Sequence, residues 1–447
     1  MPSLFGRSSR RRSVLLAACG LSAALALSAC GSTADDENSA DAGAPGPGVS
    51  AEEVRVGFIT VNAATAGGSG GFEVPDQGDA RKQIEALVAE VNAAGGVAGR
   101  TVVPVYKEFE SSTASPQTEA ALCTAFTDDD EVFAVVLTAQ RSPATRTCYK
   151  NAGALMIETS GNAQGDAVYE DNAPYYWTPA APTFDTFLET LVGGLQDQEF
   201  FAGDAKVGVV AESGPQYESL VADVLKPRLA EAGVTDVTVG KIDQSTPDTA
   251  ASTTRQVVSD FKSGGVNRVI FAGRADNAGY FTGTALPQKY FPRLAISTFE
   301  DPQFSALNPA FFPAEALEGA VGIGIAPTKD FVQDLEWPFS ESERACLDTF
   351  EQAAITFEDR RNTGDAMRYC DAVRFLKAAG DKVGDAPLNV ETFKDAAWGL
   401  GEEWQSATNF GTRFAEGVYA PTTAYRELAY VDGEFTYVSD VTPFPED

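Results

Sequence analysis

The stretch LVAEVNAAGGVAGRTVVPVYKE (residues 87–108) changes its period half-way. Up to Asn92 the apolar residues Ile84, Leu87, Val88 and Val91 recur at intervals of three and four, so one face of a helix is predicted over 79–94. GGVAGR (95–100) stops that helix, as glycines after a last turn do. TVVPVYKEF (101–109) then reads as a strand. Ahead of the helix, VRVGFIT (54–60) is a short apolar strand followed by a glycine-rich loop. Strand, helix and strand in that order form the unit of a parallel sheet.

The rhythm continues outward. A helix is expected around 115–127, a strand at VFAVVLT (132–138), a helix around 142–152 and a strand at ALMIET (154–159). After PYYWTPAAP it restarts. Strand KVGVVAE (206–212) leads to a helix near 215–232 and strand VTDVTVGKI. A helix near 248–263, strand RVIFAG (268–273), a helix near 276–286 and strand RLAIST (293–298) complete the series. Two such series predict an α/β protein of two doubly wound parallel-sheet lobes. The tail differs, with helices expected over 342–360 and 365–382 and two strands around the turn Asp432-Gly433. A tail after two complete lobes implies further crossings between them.

The ends and the composition place the chain. Residues 1–29 combine Arg7, Arg10, Arg11 and Arg12, an apolar run too short for a membrane span, and small residues before Cys30, the pattern of an export signal. Leu27-Ser28-Ala29-Cys30 resembles the lipobox of bacterial lipoproteins, which makes Cys30 the expected lipidation site and the N-terminus a membrane anchor. Residues 30–51, rich in Gly, Ala, Pro, Ser and Asp, are expected to be a flexible tether. The formal net charge is −31, and loss of the four signal arginines takes it to −35. Such acidity repels phosphate backbones and excludes nucleic acid as a partner.

Once Cys19 leaves with the signal and Cys30 takes lipid, Cys123, Cys148, Cys346 and Cys370 remain. An even number in an exported chain predicts two disulfides. Three pairings are possible, and the sequence-near one, Cys123–Cys148 with Cys346–Cys370, is expected. Their spacing does not fit a CxxC redox or zinc pattern, and no metal site or cofactor is expected. With no histidine at all, Ser-His-Asp and Cys-His catalysis are excluded.

VRVGFIT with its Gly/Ala-rich loop and LVAEVNAAGGVAGRTVVPVYKE together resemble the opening of type I periplasmic solute-binding proteins, more narrowly the branched-chain amino acid-binding family of ABC transporters. KVGVVAESGPQYESLVADVLKPRLAEAG resembles the start of that family's second lobe, and YVDGEFTYV its closing strand. The resemblance spans about residues 54–440. It implies a hinge of three crossings, lobe I at 52–178 plus 328–418 and lobe II at 179–327 plus 419–447. It also implies a small polar solute (an amino acid, an amide or a small carboxylate) in the interlobe cleft, ABC permease subunits as partners, and a monomer lipid-anchored on the outer face of the plasma membrane. No catalytic activity is implied.

By position the resemblance points to ligand contacts at Gln140, Arg141 and Ser142, where loop amides at a helix start could take a carboxylate. It points equally to Ser160, Gly161 and Asn162, to Tyr217, to Arg274 for an anion, and to Glu300, with Asp301 competing, for an ammonium group. Gly161-Asn162 and Glu218 depart from the amino acid-binding pattern. Tyr176 and Trp177 are expected to pack the hinge, and GGSGG (67–71) lacks the spacing of a phosphate loop. Two other readings remain: a sensor with the same cleft, and a carboxylate-dependent surface hydrolase using a pair such as Glu300 and Asp276.

Overall fold

Strand β1 (Glu53–Val61) lies between β2 (Thr101–Phe109) and β3 (Ala134–Leu137), and β4 (Leu155–Glu158) and β5 (Tyr176–Trp177) extend the sheet in the order β2-β1-β3-β4-β5. Every pairing in it is parallel. All four residues of β3 and all four of β4 are buried, because helices cover both faces of a parallel sheet and leave no polar side. The structure, a computed structural model, describes residues 43–61, 73–110, 115–161, 164–330, 332 and 335–445. The expected signal and lipidated Cys30, the glycine run 67–71 and Asn162 lie outside them.

The helix Ala80–Ala93 forms where the opening stretch predicts it. Asp79 caps its N-terminus by accepting from the Lys82 amide, and Ile84, Leu87, Val88 and Val91 are its buried face. That face packs with Val54 and Val56 of β1 and with Phe375 and Leu376 of the helix Gly364–Lys382 in one core. Trp177 is fully buried in this core among Phe375, Phe393, Phe414 and Tyr419, with ring centroids 4.5–6.2 Å away. Its indole N–H donates to the Pro174 carbonyl at 2.7 Å, so the ring is satisfied as hinge packing.

A second parallel sheet, in the order β7-β6-β8-β9, comprises β6 (Val207–Glu212), β7 (Val237–Ile242), β8 (Arg268–Ala272) and β9 (Arg293–Leu294). β9 is shorter than the RLAIST run predicts. Beyond Leu294 the chain turns to a new neighbour: Ala295 bridges in parallel to Val321, which opens β10 (Val321–Gly324). β10 pairs antiparallel with β11 (Ala424–Val431), and β11 with β12 (Glu434–Tyr437) across the predicted turn, where Asp432 and Gly433 both take positive φ. The helix Phe184–Asp197, which the sequence reading omits, packs Phe187, Leu188, Leu191 and Leu195 into the same core as Val207, Val209 and Ile323.

The chain passes between the cores of the two lobes three times: between Trp177 and Phe184, between Val332 and Cys346, and between Phe414 and Tyr425. The expected pair of disulfides is present. Cys123–Cys148 ties the helix Pro116–Thr124 to Pro143–Asn151, and Cys346–Cys370 ties Glu341–Gln352 to Gly364–Lys382. Two local expectations are corrected. The helix predicted to reach 360 ends at Gln352, where Ala354 turns to φ +57° ahead of β-branched Ile355 and Thr356. Residues 44–46, expected in the tether, are bonded to the body: Asn389 Nδ2 donates to the Ala44 carbonyl at 2.8 Å, and the Gly46 amide donates to the Leu388 carbonyl at 2.9 Å.

Candidate functional site

A cavity of about 310 Å³ opens where the two lobes and the crossing segments meet. The first lobe contributes Val61, Glu158, Thr159, Gly161 and the first turn of the helix Gly364–Lys382, including Asp365 and Arg368. The second contributes Thr298, Phe299, Asp301 and Phe304. Thr178–Ala181 add to the cavity wall from the first crossing, and Ile325, Ala326 and Lys329 from the segment that follows β10 and leads to the second. Parallel strands deliver their loops at carboxyl ends, so Glu158 at the end of β4 and Ile325 just past β10 face the same space.

The rim is a short segment before the helix Ala80–Ala93. Val74, Pro75, Gln77 and Gly78 line the cavity. Asn308 of the second lobe grips Glu73 from the other side: its Oδ1 accepts from the Glu73 amide at 2.7 Å and its Nδ2 donates to the Glu73 carbonyl at 2.9 Å. Gln77 fixes the rim to the first lobe, with its Oε1 accepting from the Asp365 amide at 3.0 Å and its Nε2 donating to the Arg361 carbonyl at 2.8 Å.

The charges in the wall differ in how they are satisfied. Arg368 is ion-paired with Asp365 and Arg361 with Asp359. Asp371 accepts from the Ala407 amide at 2.7 Å and from the Ser406 and Thr408 hydroxyls, and burial raises its pKa to about 6. Glu158 is buried and accepts from Tyr176 at 2.9 Å and from the Ser160 amide and hydroxyl; burial raises it too. Lys329 differs. Its side chain makes no hydrogen bond or ion pair to any described residue, and it lies beside Gly161, where a Cβ would stand 3.0 Å from Nζ. Gly161 takes φ +63°, a conformation that favours glycine for itself. Desolvation lowers the Lys329 pKa and the nearby Asp301 acts against that.

The sequence-predicted residues separate into groups. Gly161 and Asp301 line the cavity. The amides of Arg141 and Ser142, expected to receive a ligand carboxylate, already hold one from the chain itself. Glu119 accepts from Arg141 N at 3.1 Å, from Ser142 N at 2.8 Å and from the Thr145 hydroxyl at 3.0 Å. The Cys123–Cys148 bridge joins the two helices that bring these groups together. Gln140 is buried beside Tyr149 and is not in the cavity wall. Ser160 turns its hydroxyl to Glu158.

Arg141, Tyr217 and Arg274 come together outside the cavity, with Glu212 and Asp276 in the same electrostatic neighbourhood. Arg274 is bonded to Asp276 at 3.2 Å. Glu300 is 2% exposed and its carboxylate accepts from the Ser297 amide at 2.8 Å and the Ser297 hydroxyl, while its neighbour Asp301 faces the cavity. Glu300 and Asp276 therefore face different partners, and neither lines the cavity as a hydrolytic pair would. Among the described residues no group of three or more Cys, Asp or Glu is placed to hold a metal ion, and no helix is long and apolar enough to cross a membrane.

No protein-family model matches the chain, and no curated protein matches it. Solved structures do. An ABC transporter substrate-binding protein from Desulfitobacterium hafniense, in complex with Leu, superposes with a TM-score of 0.58 at 18% identity, covering 87% of this chain and 100% of that one. A fatty acid ABC transporter substrate-binding protein from Thermomonospora curvata gives 0.63 at 16% identity, with 90% and 95% covered. A solute-binding protein of an ABC transporter from R. palustris, in complex with benzoate, gives 0.61 at 17% identity, with 88% and 98% covered. The chain has the two-lobed α/β fold of these proteins, the type I periplasmic binding fold that its sequence resembles.

Proposed function

We propose that the protein is an extracytoplasmic solute receptor, held to the membrane by lipid on Cys30, that closes its two lobes around a small molecule and presents it to an ABC importer. The observation that carries this reading is the cavity itself. It lies where lobes proposed as 52–178 plus 328–418 and 179–327 plus 419–447 meet, beside three crossings that permit hinge motion. A volume of about 310 Å³ suits a small solute and is small for a macromolecular ligand. The solved structures that the chain resembles, substrate- or solute-binding proteins of ABC transporters, support the same reading. Arg141, Arg274 and Tyr217, beside Glu212 and Asp276, then serve as an interlobe contact of the closed form.

The reading assigns the chain no catalytic residue, metal or cofactor, and it takes the chain as a monomer that permease subunits recognise once closed. The two disulfides fit an exported protein. A thermal-shift screen over amino acids, organic acids, their amides and sugars tests it. A receptor gains stability in the presence of its solute by mass action, and native mass spectrometry shows whether a solute travels with the purified protein. Turnover of a stabilising compound, or no stabilisation and no retained solute, contradicts the reading.

A further inference from the structure

We infer that the cleft receives its solute by a carboxylate seated on the ammonium of Lys329, with an apolar body against Phe299, Phe304 and Ile325. The inference rests on the solute-binding reading above and specifies its ligand. Three observations carry it. The loop amides that would otherwise take an anion, at Arg141 and Ser142, are already bonded to Glu119. The other cavity-facing cations, Arg361 and Arg368, are ion-paired with Asp359 and Asp365. Lys329 alone among the charged side chains named in the wall lacks both a hydrogen bond and an ion pair to a described residue, and Phe299, Phe304 and Ile325 line the same cavity.

Closure changes the surroundings of that ammonium. It carries three donors and no acceptor. When the lobes shut on a solute, water around it is displaced, and an ammonium without an acceptor costs several kcal/mol. Asp301 lies nearby without bonding to the ammonium, so the solute supplies the missing acceptor, and a carboxylate supplies it with opposite charge and a shorter, stronger bond than a neutral oxygen. The carboxylate belongs either to a plain organic acid or to an amino acid, whose ammonium would meet the nearby Asp301.

Calorimetric titration of the disulfide-bonded chain separates these cases. The probes are benzoate, hexanoate and leucine, with benzamide and hexanamide as neutral counterparts, on the wild type, Lys329→Met and Asp301→Asn. At least one carboxylate is expected to bind, and Lys329→Met to weaken it by about 30-fold or more, the scale of losing one partner of a buried charge pair. The amides are expected to bind poorly and equally to wild type and Lys329→Met, which also reports that the variant folds. Benzoate or hexanoate binding assigns a plain acid; leucine binding that Asp301→Asn abolishes assigns an amino acid. Carboxylate affinity unchanged in Lys329→Met, or amides binding as well as acids, overturns the inference. Where no probe binds, native mass spectrometry decides. An acid that co-purifies with wild type and is lost from Lys329→Met supports the inference. A neutral co-purified solute overturns it while leaving the solute-binding reading intact. No bound solute of any kind overturns both.

Discussion

Removing the carboxylate of Glu119 tests the claim that the chain fills its own anion site. Glu119 is 5% exposed and accepts from two backbone amides and the Thr145 hydroxyl at the start of the helix Pro143–Asn151. In Glu119→Ala the hydroxyl can turn elsewhere, but the amides of Arg141 and Ser142 cannot. Both donors are part-buried, so each one left unmade costs up to about 1–3 kcal/mol, and loss of a negative group at a helix N-terminus adds about 0.3–1 kcal/mol. These contributions share one site and do not add fully. The expected loss is about 2–4 kcal/mol, read as a shift of the urea midpoint at constant slope with both disulfides intact. Glu119→Gln keeps one acceptor oxygen and should lose roughly half as much. Acetate should then restore part of the stability of Glu119→Ala by occupying the vacated amides, and should leave the wild type unmoved. A change within about 0.5 kcal/mol, as for an ordinary surface position, would refute the reasoning, as would equal stabilisation of both proteins by acetate.

Three further outcomes are expected. Asn308→Ala removes both bonds from the second lobe to the rim at Glu73, about 1–3 kcal/mol of closed-state stabilisation, so solute affinity should fall roughly tenfold in a titration. Unchanged affinity would mean the rim does not take part in closure. Burial raises Glu300 and Asp330 to about 7 from ordinary carboxyl values near 4, so the fold holds protons that the unfolded chain releases, and stability should decline as pH rises from about 4 through 7. Calorimetry should show Asp330→Asn flattening that decline between about pH 4 and 7, and an unaltered slope would contradict the assignment. Replacing Cys123 and Cys148 together by Ser should cost about 2–4 kcal/mol and also loosen the Glu119 contact, so the double loss with Glu119→Ala should be less than additive.

The parts of the fold that follow local rules are the parts the sequence announces. Ile84, Leu87, Val88 and Val91 mark a helix face, and Asp432-Gly433 marks a hairpin, because short-range geometry alone requires them. The helix Phe184–Asp197 was equally legible: Phe184, Phe187, Leu188, Leu191 and Leu195 keep helical spacing behind Thr183, which caps it. β10 was not. Its VGIG alternates apolar residues only with glycine and shows no polar face, and its glycines answer to tertiary approach; a Cβ on Gly322 would stand 2.0 Å from the Ile296 carbonyl oxygen.

The site was legible only in part. Gly161 and Asp301 follow from their places after strands, as the resemblance implies. Glu119 gave no signal, since its role depends on a helix pairing that a disulfide 25 residues apart in sequence secures. Lys329 gave none either. It sits on a four-residue helix, and its significance lies in what it lacks, a property that sequence does not carry.

Small-angle scattering with and without bound solute tests the central claim most directly. The protein freed of solute by unfolding and refolding is predicted to have the larger radius of gyration, and adding the acid that binds should contract it, less so in Asn308→Ala. Superimposable curves from samples that calorimetry proves to be empty and saturated would contradict a receptor that closes on its cargo.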